Sequence, residues 1–448
     1  MIMADSVPTA YSKQRLFLSI AIVLLTAIAL YTFCMTLSRI TQDTPDAVFG
    51  VDFIAYYSAA QLVQSGNPSA IYADITDDFS VVDRGMFYET ARKAGFHLTP
   101  TRYVYLPVFL IPFTLLTRFS FATASLVWLC VNLAALVIIL FLQWHITRGL
   151  SHPFLRLAAI TSINLFSFPL LYALKLGQTS LLVYLAICLI YYFFTSTRDA
   201  LAGIVLGLIT ALKFSPLLFV VYFLYRKRYR LVFTAAATVL VLLALSIALY
   251  GLTLHKLYWN YLGTMSGMDI AAWSNQSIDA LLLRVFHAGS IFAFHPIKVS
   301  GAGILLRYAI TLSVIGTLYL FFRRTSGAQD SAAHPLEFSA LILCFLIVPA
   351  ISWLHYFTVA NLAIILIAGS CFPASRHRSA TMFTLAIIGY AMIAFHPDYA
   401  RIIHVCGQGY ATRLLVSLPL AGACLLLCLT LTLLISKPEQ LHPPDRMQ

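Results

Sequence analysis

Asp52 stands just beyond a long apolar run, in Phe49-Gly50-Val51-Asp52-Phe53-Ile54-Ala55-Tyr56-Tyr57. A carboxylate at the edge of a membrane span has a desolvation cost to offset, so a functional role is the default hypothesis. The plainer alternatives are a solvated loop acid or a helix N-cap. Lys175 and Lys213 each interrupt an apolar run, at a cost that pairing has to offset. Gln178 lies three residues after Lys175, and Asn275, Gln276 and Arg284 share a later polar stretch. His355 sits in Ser352-Trp353-Leu354-His355-Tyr356, although a lone histidine is more often structural. One carboxylate, several cations and one imidazole suit transfer from a phosphate. Lys and Arg hold a phosphate and stabilise the charge that develops as it leaves. A carboxylate takes the proton of an attacking hydroxyl. Tyr56, Tyr57 and Tyr103 could stack on sugar faces or belong to an interfacial aromatic belt, the commoner use.

The elements that must position these residues are membrane helices. Of 448 residues, 60% are hydrophobic and only 10% charged. Apolar runs long enough to cross about 30 Å of hydrocarbon recur along the chain. This composition excludes a soluble class and predicts an all-α integral membrane protein, a polytopic helical bundle of about 12 transmembrane helices. The net charge of +12 does not point to nucleic acid, because the basic residues sit mainly in short inter-helix loops, where they set topology and meet lipid headgroups. The eight cysteines are scattered, without a CxxC pair, and read as small hydrophobes. No metal-ligand cluster or Asp-x-Asp pair is present, so no metal or other cofactor is expected.

Leu16–Leu37 reads as a retained first span. Lys13 and Arg15 before it favour a cytoplasmic N-terminus, and the acidic excess of 39–102 favours the opposite side. Residues 52–64 read as an amphipathic helix along the membrane surface, ended by Gly66-Asn67-Pro68. The run through Pro107 and Pro112 is short and reads as re-entrant, and the second full span follows at about 120–144. Between two short apolar pieces, Lys213-Phe214-Ser215-Pro216 marks a broken helix, tolerated only beside protein or a polar cavity. Arg226-Lys227-Arg228-Tyr229-Arg230 marks the inside, followed by a span at about 231–252 and a second large outer loop, 253–300. His396 and His404 are weak candidates in the loop before the last span. With both termini cytoplasmic, Asp52, Lys175, Gln178, Lys213, Asn275, Gln276, Arg284 and His355 all fall at the outer face of one membrane-embedded domain, 1–448.

The ordered set Asp52-Phe-x-x-Tyr-Tyr-x-Ala-Ala60, Gly66-Asn67-Pro68, Tyr105-Leu106-Pro107, Gly177-Gln178, Gly203 to Gly207 leading to Lys213, Asn275-Gln276-Ser277 with Arg284, and Ser352-Trp353-x-His355-Tyr356 resembles the family 87 glycosyltransferases. Those are membrane enzymes of the GT-C class, related to polyprenol-phosphate-mannose-dependent α-mannosyltransferases. The resemblance covers roughly 52–357. It implies a GT-C fold in a bacterial inner membrane. It also implies inverting transfer of a sugar, mannose first, from a polyprenyl-phosphate donor to a glycolipid or glycan on the outer face. Asp52 then matches the general base, and Lys213 and His355 match positions near the donor phosphate. A transporter or flippase of lipid-linked sugars, or a transferase using arabinose or glucose, remains open. Against the transporter, the polar residues cluster at one face and no repeat is visible.

Overall fold

The computed structural model describes residues 10–42, 49–73, 81–149, 153–213, 216–266, 268–286, 291, 294–325, 334–371, 376–395 and 399–436. Phe214, Ser215, His396 and both chain ends lie outside them. Among the described residues the regular structure is helical, apart from a two-residue antiparallel pairing of Met268–Asp269 with Ile297–Lys298 and the isolated bridges of Val81 with Thr101 and of Asn275 with Trp353. Large apolar side chains such as Phe233, Leu240, Val241, Leu305 and Leu312 face outward. That inversion is what lipid as solvent permits, while the helices satisfy their own backbone groups.

Five helices are long and apolar enough to cross a membrane: 19–40, 121–146, 229–266, 301–323 and 418–435. Pro153–Leu165 and Phe168–Leu176 together make a sixth, bent by 55°. The other apolar helices are short, so a count of about 12 full-length spans is not met by length. Pro107–Leu116 is one of these, a 3-10 turn running into a six-residue helix, in line with its two prolines. The 121–146 helix is capped by Ser120, whose Oγ accepts the Thr123 N–H at 3.3 Å.

One further sequence-based expectation changes. The helix over Phe53–Gln64 does not lie on a surface: Phe53 to Ala60 are all buried. Its apolar residues run around the whole circumference, and Tyr72, Tyr103, Tyr105, Phe113 and Trp128 close over it in one aromatic core. The span expected to stop at about 252 does break there: Gly251 (φ 74°, ψ 163°) leaves helical geometry, and a second helical stretch runs on from the kink to Ser266. His255 secures the bend, with Nδ1 against the Gly251 carbonyl at 2.7 Å and Nε2 against Ser246 Oγ at 2.8 Å. The second half carries Tyr258 and Tyr261 into the aromatic core.

The broken helix is present as Asp199–Leu212 and Leu217–Tyr225, with Lys213 extended between them. Gly203 and Gly207 let the first piece press directly on the 229–266 helix. A Cβ at Gly203 would fall 2.4 Å from the Leu231 carbonyl, and one at Gly207 would fall 2.6 Å from the Ala235 carbonyl. This is the close backbone approach that small residues four apart give membrane helices. A second, larger core joins 183–235 to 336–367 and 420–434.

Candidate active site

Asp52 is set by the end of the Phe168–Leu176 helix. The Gly50 N–H bonds the Lys175 carbonyl at 3.0 Å, and the Asp52 N–H bonds the Leu176 carbonyl at 2.9 Å. Gly177 then takes the left-handed conformation (φ 70°) that ends the helix, and a Cβ there would sit 2.7 Å from Phe53 Cβ. The reversal aims Gln178 at Asp52, and its Nε2 donates to Asp52 Oδ2 at 2.6 Å. The Gln178 amide is itself held by Tyr56, whose hydroxyl donates to Oε1 at 3.1 Å and lies 3.1 Å from the Tyr105 hydroxyl. Thr101 also hydrogen-bonds the carboxylate. Burial pushes the Asp52 carboxyl above its ordinary range, against the Gln178 and Thr101 bonds and the positive charge of Lys213.

The carboxylate opens into a cavity of ≈ 480 Å³, within the range of small-molecule sites. Tyr56, Tyr105, Tyr172, Tyr261, Trp353 and Tyr356 give it aromatic walls, and Arg102 and His355 are its basic lining residues. His355 is 4% exposed, and its Nε2 has no hydrogen-bond partner. Lys213 is near but does not line this cavity. It borders a void of ≈ 10 Å³ with Ser180, Phe345 and Tyr356, and its Nζ lies 3.7 Å from the Tyr356 ring centre.

Several candidates serve the scaffold instead. Arg284 is 1% exposed. Its guanidinium donates to the carbonyls of Asn275 at 2.7 Å and Ala272 at 3.0 Å, and to Ser417 Oγ at 2.9 Å. Asn275 donates to the Ile270 carbonyl at 2.9 Å and accepts the Ser352 N–H at 2.9 Å. The Gln276 amide donates to the Trp273 carbonyl at 2.6 Å and the Val416 carbonyl at 2.7 Å. Backbone bonds from Gln276 to Ser352 and from Leu354 to Ser274, each 2.7 Å, join the two stretches and place His355 at the cavity. Asn275 and Gln276 thus position His355 and do not face the cavity. Lys175 contributes its carbonyl to the Asp52 turn, and its side chain does not line the cavity. Tyr103 is wholly buried and bonds the Leu106 carbonyl at 3.2 Å, with its ring edge against Tyr56.

Thr101, Arg102, Tyr172 and Tyr261 line the cavity and were missed from sequence. Thr99-Pro100-Thr101-Arg102, polar residues directly before the Tyr103-Val104-Tyr105 run, were the available signal. Among the described residues no three His, Cys, Asp or Glu side chains are grouped to hold a metal ion.

The profile of glycosyltransferase family 87 matches residues 103–354, more than half of the chain. The chain belongs to glycosyltransferase family 87. A curated relative from Mycolicibacterium smegmatis is 25% identical over 357 residues, 78% of this chain and 75% of its own length. Its name is polyprenol-phosphate-mannose-dependent alpha-(1-2)-phosphatidylinositol pentamannoside mannosyltransferase. No solved structure matches the chain. As a family 87 glycosyltransferase the protein has to activate an acceptor and stabilise a leaving group. Asp52 lies before the matched residues, and the fold couples it to Gln178 within them.

Proposed function

We propose that this protein moves a sugar, mannose first, from a polyprenyl-phosphate donor to a hydroxyl of an envelope glycolipid or glycan. The charge pattern of the loops favours the outer face of a bacterial inner membrane, with both termini cytoplasmic. The observation that carries the proposal is the Asp52 carboxylate, anchored by Gln178 and open to a cavity that also holds the unpartnered His355 Nε2. The family 87 match and the name of the mycobacterial relative point to the donor class.

The donor's phosphate sits against His355, with the Lys213 ammonium close by. The sugar lies along the tyrosines of the cavity wall. Asp52 takes the proton of the acceptor hydroxyl, whose oxygen attacks the anomeric carbon from the face opposite the phosphate. The anomeric C–O bond to phosphate breaks, its electron pair leaves with polyprenyl phosphate, and the new glycosidic bond has inverted configuration. The charge of Lys213 and an N–H of the buried, neutral His355 imidazole stabilise the departing phosphate where charge develops. No cofactor takes part in these steps.

Purified protein is assayed with a panel of polyprenyl-phosphate sugars and a membrane lipid extract as acceptor. Transfer from the mannosyl donor, lost in Asp52→Asn while thermal stability is retained, is the expected result. Loss of a general base costs about 10²–10⁴-fold in rate. Normal turnover in Asp52→Asn sinks the assignment, and solute movement in proteoliposomes without transfer favours a transporter.

A further inference from the structure

Tyr356 belongs to the walls of both the large cavity and the small void, whereas Lys213 borders only the void. The phenol ring is therefore the partition between the ammonium and the cavity. Nζ lies 3.7 Å from the centre of the Tyr356 ring and 5.9 Å from that of Tyr105. Among the described residues no carboxylate is within 4.0 Å of this ammonium and it donates no hydrogen bond. A buried cation needs a partner, and here that partner is a π face. Such a contact attracts the charge without consuming a donor, so three N–H groups remain for an incoming anion. The void behind Lys213 has room for about one water, which leaves the ammonium no space to withdraw from the ring. The same ring and the His355 imidazole form a T-shaped pair, with centroids 4.7 Å apart and planes at 87°.

We propose that Tyr356 is the positioning residue for donor-phosphate recognition: its ring face seats the Lys213 ammonium and its T-shaped contact sets the His355 imidazole, so that both present free N–H donors to one anion. This rests on the phosphate-bearing donor proposed above. On binding, the phosphate draws the ammonium off the ring face and past its edge, and replaces the ring as its partner.

The test uses Tyr356→Phe, which keeps face and edge, and Tyr356→Leu, which removes both, alone and combined with Lys213→Met. Two quantities are read: Kd for a polyprenyl monophosphate, and donor KM and kcat in the transfer assay. Tyr356→Leu is expected to weaken Kd and raise donor KM about tenfold, with a smaller change in kcat, while Tyr356→Phe stays close to wild type. With Lys213→Met present, Tyr356→Leu is expected to cost less than it does alone, the remainder being its effect through His355. A purely structural role would instead cost the same with or without the lysine. Unchanged Kd in Tyr356→Leu, or full losses that multiply with Lys213→Met, overturns the proposal. Tyr356→Met, unbranched and able to fill an irregular gap, stands in if the leucine variant does not fold. If the wild-type protein binds polyprenyl monophosphate with this Tyr356 dependence but transfers no sugar, the proposed function fails and the seating stands.

Discussion

Gln178 and Asp52, 126 positions apart, meet in a 2.6 Å hydrogen bond in which the amide nitrogen donates to Oδ2. The geometry sets which half of the amide faces the acid, because the Gln178 oxygen is already committed to the Tyr56 hydroxyl at 3.1 Å. The carboxylate is thereby oriented and its anion stabilised, in surroundings that otherwise oppose ionisation.

The pH profile of transfer reports that balance. The base is the ionised carboxylate, and burial raises its pKa, so activity falls on acidification at a pH above the ordinary aspartate range. Gln178→Ala removes a bond that stabilises the anion. Its acid limb is expected to move to higher pH than in wild type, measured as kcat/KM against pH. A limb that does not move separates Gln178 from the base.

Gly177→Ala is expected to lower both transfer and stability. The left-handed φ of 70° costs a non-glycine residue roughly 1 kcal/mol, and the new Cβ meets Phe53 Cβ at 2.7 Å, next to Asp52. Gly66→Ala is the control: φ is +77°, but nothing lies within 4 Å of the added carbon. It is expected to lose a similar strain energy while keeping kcat. Parallel melting curves and transfer assays make the comparison.

Arg284→Met distinguishes a clamp from a phosphate ligand. The carbonyls of Ala272 and Asn275 lose their charged donor, at roughly 1–3 kcal/mol for each buried group left unpaired. The expected result is a lower melting temperature in detergent, with donor KM unchanged in the folded fraction. A raised KM with unchanged melting would return Arg284 to the substrate.

Asp269 gives stability a second pH dependence. Burial pushes its carboxyl up to about 7, against bonds from the Ile270 N–H and Asn275 and the charge of Arg307 at 3.2 Å. Between the unfolded pKa of about 4 and about 7, folding takes up a proton at this site. Its contribution is present below that window and is lost as pH rises through about 7. Melting temperature against pH should show this downward drift, and Asp269→Asn should flatten it.

Asp52 and the helix break at Lys213 were legible because a charge placed against apolar sequence is costly and the chain rarely carries one idly. His355 was legible mainly through its motif. The directions of Arg284, Asn275 and Gln276 were not. Each is a strong hydrogen-bonding side chain in a polar loop, and whether it serves a ligand or a carbonyl depends on distant partners. For Gln276 that partner is Val416, 140 positions away. The placement of Phe53–Gln64 was missed for a similar reason: alanine and tyrosine pack equally against lipid headgroups or an aromatic lid, and the lid is built from residues up to Tyr261. Lys213 lay where a break predicts it, but the ring separating it from the cavity is a tertiary fact.

Gly203 and Gly207 fix how deep that lysine sits. The Asp199–Leu212 helix has 14 residues, about 21 Å, too short to gauge the full hydrocarbon thickness from its own ends. Its height is taken from direct backbone contact with the 229–266 helix. The cation is therefore referenced to protein and not to lipid, so a bilayer that thins or thickens around the long outer helices leaves the distance from Lys213 to Asp52 unchanged.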